Sequence, residues 1–243
     1  MGLGVSTSVL LLLVLVVVVG ATMQGLVGLG LNLVSAPVVT MVAPSLMPEL
    51  PLVLAVLLPV FTLAREHDEI DWHGLAWVLS ARVPGTAAGV LILAVFADRV
   101  VAIAVALMVL VAVGLSLAPL AVAVRPGTLA GAGFLSGVTG TTTSIGGPPV
   151  ALLYQHRSPT QIRSTLAVLF SVGAAMSLAG IWLSGDLDLD VLPLALILTP
   201  CLVLGAWAGA RLQGVVPDRG IRYGVLAICA ASGLALLVRS VWG

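Results

Sequence analysis

The chain has 243 residues and no net formal charge, is 60% hydrophobic and only 8% charged, and has a mean hydropathy of +1.22. A soluble domain carries about a quarter charged residues, whereas this composition fits several spans of about 20 apolar residues each. The charge balance offers no basic surface for nucleic acid and no acidic tail.

Apolar runs punctuated by charge, Pro or Gly fall at 5–46, 49–64, 74–97, 99–122, 127–155, 160–184, 190–212 and 219–241. None alternates polar and apolar residues as a barrel strand does, so all eight read as helical. The first run has no Lys or Arg ahead of it and no clear small-x-small cleavage site, and reads as a retained membrane segment. The first and fifth runs are long and interrupted, each fitting one broken span or a two-armed hairpin. Trp72, Trp77, Trp182, Trp207 and Trp242 mostly fall near segment ends, as an interfacial belt would. Cys201 and Cys229 lie in separate apolar segments without metal or CxxC spacing, and no cofactor is implied.

The fifth run contains Ser136-Gly-Val-Thr-Gly-Thr-Thr-Thr-Ser-Ile-Gly-Gly-Pro-Pro149, with four glycines, two adjacent prolines and six hydroxyl side chains. Gly weakens a helix, and Pro removes a donor and clashes with the preceding turn. The expected break lies near Gly140, with a restart or turn near Pro148. In lipid, broken backbone survives only where protein or a water-filled cavity covers it.

Segments recur along the chain. Leu54-Ala-Val-Leu-Leu-Pro-Val60 matches Leu166-Ala-Val-Leu-Phe-Ser-Val172 at a shift of 112, which also sets Gly25 on Gly137, Gly28 on Gly140 and Pro37 on Pro149. Asp98-Arg99 matches Asp218-Arg219, and Gly85-x3-Gly89 matches Gly205-x3-Gly209, both at a shift of 120. One duplication with a short insertion accounts for all of these. The expected fold is therefore an all-α polytopic integral membrane protein with two homologous repeats of four hydrophobic segments, 1–124 and 125–243, forming one transport domain. The first segment of each repeat would be broken or re-entrant. Repeats with interrupted helices at corresponding places mark secondary transporters. Crossing segments would make the repeats parallel; hairpins would make them inverted, with Arg65 and Arg125 joining Arg157, Arg163, Arg211, Arg219 and Arg222 inside and the Asp186, Asp188, Asp190 loop outside.

Freed amides and half-helix ends favour an anion. The expected contacts are Gly140, Thr141, Thr142, Thr143, Ser144, Gly146, Gly147 and Pro148, joined from the first repeat by Gly28, Asn32 and Ser35. Arg82, deep in the third run, is either an anion clamp or a snorkelling or paired side chain. Arg163 supplies attraction or gating charge, or anchors at the interface. Gly85, Gly89, Gly205 and Gly209 read as helix-packing glycines. Glu49, between Pro48 and Pro51, reads as a loop residue. His67, His73 and His156 lack metal-site spacing, and Ser136 lacks a nearby base or nucleophile elbow, so neither a metal centre nor an enzyme is expected.

The run 133–154 closely resembles the second-repeat signature of the TauE/SafE sulfite exporter family of membrane permeases. Arg163-Ser-Thr-Leu166 resembles that family's Arg-Ala-Thr-Leu element, Gly205-x3-Gly-Ala-Arg-Leu212 its seventh-segment glycines, and Asp71-Trp72 the start of its third segment. Gly28-Leu-Gly-Leu-Asn32 departs from the family's denser glycine run, with Asn32 a candidate for tuning substrate choice. The resemblance implies a permease of the bacterial inner membrane that moves a small anion such as sulfite, a sulfonate or another organic acid. It ranks a proton above sodium as coupling ion and allows a homo-oligomer. The rival readings are an anion channel and a non-transporting structural subunit.

Overall fold

A computed structural model describes residues 5–117, 122–213 and 218–242, without the side chains of 218–225 and 228. Asp218, Arg219 and Arg222, used above for the repeat and the charge pattern, thus fall outside the described side chains. The chain forms α1 (Thr7–Val27), α2 (Leu31–Val42), α3 (Glu49–Leu63), α4 (Trp72–Val95), α5 (Asp98–Leu117), α6 (Pro126–Thr143), α7 (Pro148–Tyr154), α8 (Pro159–Ser184), α9 (Leu192–Leu212) and α10 (Asp218–Trp242). No strand occurs among the described residues.

Among the described residues, α1, α4, α5, α8 and the unit Leu189–Leu212 are long and apolar enough to cross a membrane. At 1.5 Å per residue they extend roughly 30–39 Å, against a hydrocarbon core of about 30 Å. Leu91, Val95, Leu183, Leu196 and Leu204 stand exposed on their outer faces. Such a surface is a liability in water and matches lipid.

Both interrupted segments turn back. α1 ends at Gly28, whose φ of 82° suits glycine and whose N–H donates to the Gln24 carbonyl. α2 then runs back along α1, with Leu31 against Gly20; a Cβ on Gly20 would stand 2.9 Å from the Leu31 carbonyl oxygen. Further on, Val39 joins Leu13 and Val17 in one apolar cluster. α6 ends at Ser144, with φ 60°, and the chain returns so that Gly146 lies against Ser136.

The break thus comes at Ser144 rather than near Gly140. The hydroxyls of Thr142 and Thr143 donate to the Val138 and Thr139 carbonyls and keep the last turn helical. One glycine within a helix costs only about 1 kcal/mol. The left-handed cap at Ser144 is held from outside its own helix: Asn32 Nδ2 donates to its carbonyl at 2.7 Å, and its hydroxyl donates to the Pro48 carbonyl at 3.0 Å.

The two hairpins enter from opposite ends of the bundle. At one end Arg99 donates to the Ser240 and Val241 carbonyls, Arg239 donates to that of Met41, and the α6–α7 tip meets Pro48. At the other end the α1–α2 tip packs on Arg163, Gln213 donates to the Gly25 carbonyl, and Tyr154 donates to Asp71. Glu49, expected in a loop, is the first residue of α3 and is buried. Small residues let the helices approach: a Cβ on Gly205 would lie 2.6 Å from the Val18 carbonyl oxygen, and one on Gly89 3.0 Å from that of Val138.

Candidate functional site

Arg82 sits mid-way along α4 on the face that also buries Val78, Gly85 and Gly89. Its side chain is 3% exposed. Nη1 donates to the Ser136 hydroxyl on α6, and Nη2 reaches the Ser177 hydroxyl on α8 at 3.5 Å. Ser177 in turn shares a hydrogen bond with Thr141 at 2.9 Å. Nε has no acceptor. Among the described residues no carboxylate pairs with this guanidinium.

Three glycines make the slot it occupies. A Cβ on Gly140 would lie 2.5 Å from Nη2, one on Gly146 2.9 Å from Nη1, and one on Gly173 2.6 Å from Cζ. These residues come from α6, the α6–α7 turn and α8. Any side chain there would push the planar cation out.

The slot opens on a cavity of about 30 Å³ between the hairpins, bordered by Gln24, Asn32, Ser144, Gly147 and Phe170 as well as Arg82. Gln24 Oε1 accepts the Leu31 N–H, closing the start of α2. Asn32 is committed through Nδ2 to Ser144, leaving Oδ1 without a partner. The positive end of α2, at Gly30, also borders the cavity. A buried cation and a half-helix N-terminus beside a small void attract an anion; the free Asn32 Oδ1, an acceptor, does not. A buried charge without a counter-charge is expensive, and a bound anion would remove that expense.

The candidates from the sequence divide clearly. Asn32, Arg82, Gly140, Ser144, Gly146 and Gly147 border the cavity. Thr141, Thr142 and Thr143 do not: their hydroxyls are engaged with Ser177, Val138 and Thr139. Pro148 borders a separate apolar cavity. Ser35 is buried in α2 with its hydroxyl unpartnered and does not border Arg82's void. Gly28 packs on the Arg163 backbone, where a Cβ would stand 2.9 Å from the Arg163 Cα. Arg163 itself pairs with Glu66, Nε to Oε2 at 2.6 Å, in a largely buried contact beside the α1–α2 tip. The pair joins α8 to the α3–α4 loop, and Arg163 does not border the cavity.

The family model for the sulfite exporter TauE/SafE matches residues 12–236, which include both hairpin turns and every residue that borders the cavity. The chain belongs to the TauE/SafE family. It is 30% identical over 190 residues to a Cupriavidus necator protein described as "Probable sulfite/organosulfonate exporter TauE", covering 72% of each chain. No solved structure matches it.

In this TauE/SafE chain the motif 133–154 builds the α6–α7 hairpin and two of the three glycines around Arg82. Sequence reasoning missed the third, Gly173, together with Ser177, Leu29 and Phe170. Gly173 and Ser177 are one helical turn apart on α8, a small-plus-polar pair on the inner face of an apolar helix. That spacing was visible; its partner on α4 was not.

Proposed function

We propose that this chain is a secondary transporter for a small oxyanion, such as sulfite, a sulfonate or another organic acid, in a bacterial inner membrane. The observation that carries the reading is Arg82: buried, without a carboxylate partner among the described residues, with Nε unpartnered, beside a void between two hairpin tips. Arg82 supplies the counter-charge, Asn32 and Ser144 fasten one tip to the other, and Gly140, Gly146 and Gly173 keep the guanidinium in place. Arg163 acts as gating charge through its pair with Glu66. A void of only about 30 Å³ favours a carrier with an occluded site over an open pore.

The two halves, 1–124 and 125–243, would then be inverted repeats that rock about this site. Packing supports the pairing. Gly205 and Gly209 of α9 lie on Val18 and Thr22 of α1, while Gly85 and Gly89 of α4 lie on Phe134 and Val138 of α6. The α9 and α4 glycines are 120 residues apart, as the sequence match had them. Val18 to Phe134 and Thr22 to Val138 are 116 apart, and so are the left-handed caps Gly28 and Ser144. The favoured register of the first segments thus differs by one helical turn from the 112 of the glycine match. A shift of four residues keeps the same helix face, so periodicity alone does not separate the two registers.

Counterflow in proteoliposomes tests the reading. Purified protein should exchange labelled sulfite across the bilayer saturably and with stimulation by sulfite on the opposite side. Flux that neither saturates nor responds to trans sulfite would favour a channel; no flux with sulfite, sulfonates or short carboxylates would end the anion reading.

A further inference from the structure

Beyond the α1–α2 turn lies a second, larger cavity of about 220 Å³. Its wall is mostly hydrocarbon, including Val27, Ala112, Leu115, Ala151 and Leu152, with Ser116 and Gln155 as polar members. Leu29, Gly30 and Leu33 line both this chamber and the one beside Arg82. The partition is thin. Leu29 Cδ1 sits over Gly147, where an added Cβ would be 2.5 Å away, and Gly30 contributes no side chain.

An apolar chamber is a poor path for a bare oxyanion, which would lose its hydration there without gaining donors. It suits the hydrocarbon part of a larger guest. A cavity of about 150 Å³ lined by apolar side chains is enough to bind benzene.

Resting on the anion-carrier reading above, we propose that the two chambers form one divided site. The Arg82 chamber takes the oxyanion head, and the apolar chamber takes the tail of an organic sulfonate or carboxylate. Leu29 is the movable partition between them. The fitting ligand class is an amphipathic organic anion, with the head fixed by charge and chain length read by burial. With Leu29 displaced from Gly147, head and tail connect past Gly30.

The test is competition against labelled sulfite counterflow by methane-, butane- and hexanesulfonate. In the wild-type protein inhibition should strengthen with chain length, on the order of tenfold for every two methylenes. Ala151→Phe and Leu115→Trp, which fill the apolar chamber from α7 and α5, should bring the three sulfonates to near-equality in protein that remains monodisperse. A flat series in the wild type with sulfite flux present would overturn the tail compartment and leave the anion reading standing. The compartment is likewise overturned if the chain-length gradient survives in both filled, folded variants, as it would if a lipid chain occupied the cavity. Absence of both sulfite and sulfonate flux would overturn the anion reading itself.

Discussion

A guanidinium inside a membrane bundle needs an acid, a set of neutral acceptors, or a guest. Arg82 has two hydroxyl acceptors and an idle Nε. Its worth to the protein is therefore expected to lie in binding more than in folding. Arg82→Met should give a folded protein of similar or higher thermal stability, because replacing a buried charge by an apolar side chain is often neutral or stabilising. Sulfite flux should fall on the order of 100-fold, equivalent to about 3 kcal/mol. Flux at matched reconstitution, alongside a melting curve, checks both parts; wild-type flux in folded R82M would remove Arg82 from the site. The sequence singled out this residue because charge in an apolar segment is rare. It grouped the threonines beside the break with the ligand contacts, because a hydroxyl's choice between its own helix and a guest is invisible in a composition. Thr142 and Thr143 chose their own helix.

At the scale of elements, the hairpin tips carry the device. Gly28 closes α1 in a left-handed conformation directly over Arg163, which Glu66 holds from the α3–α4 loop. Gly28→Ala should cost about 1–2 kcal/mol in backbone strain alone, with more from contact with Arg163, and should lower the melting temperature. A double-mutant cycle of Glu66→Gln and Arg163→Gln should give a coupling energy of about 1 kcal/mol or more, as expected for a contacting, largely buried pair. Additive stabilities in that cycle would mean the pair fastens nothing. The interruptions in the first and fifth segments were legible from Gly and Pro. That the chain turns back at both was not, because a break removes a helix's direction without specifying a new one. The direction comes from contacts such as Leu31 on Gly20 and Ser144 on Pro48.

For the whole molecule, the opposed hairpins predict a definite sidedness. With Cys201 and Cys229 replaced by Ala, single cysteines at Arg99 and Asp188 should label from one face of the membrane with an impermeant thiol reagent. Cysteines at Arg65 and Arg157 should label from the other. Labelling of Arg65 and Asp188 from the same face would refute the inverted arrangement. From the arginine distribution, the Arg65 and Arg157 face is expected to be the cytoplasmic one.

By itself, the sequence determined that the chain is helical and membrane-embedded, that its first and fifth apolar segments are interrupted, and that it belongs among the TauE/SafE exporters. Each of these is local information: hydropathy, backbone-breaking residues, and a contiguous motif. Only the tertiary structure decided that both interruptions are hairpins, that Ser144 and not Gly140 ends α6, and that Gly140, Gly146 and Gly173 together seat one guanidinium. Those facts depend on residues far apart in the chain meeting in space. A glycine announces that something comes close, and the fold determines what that something is.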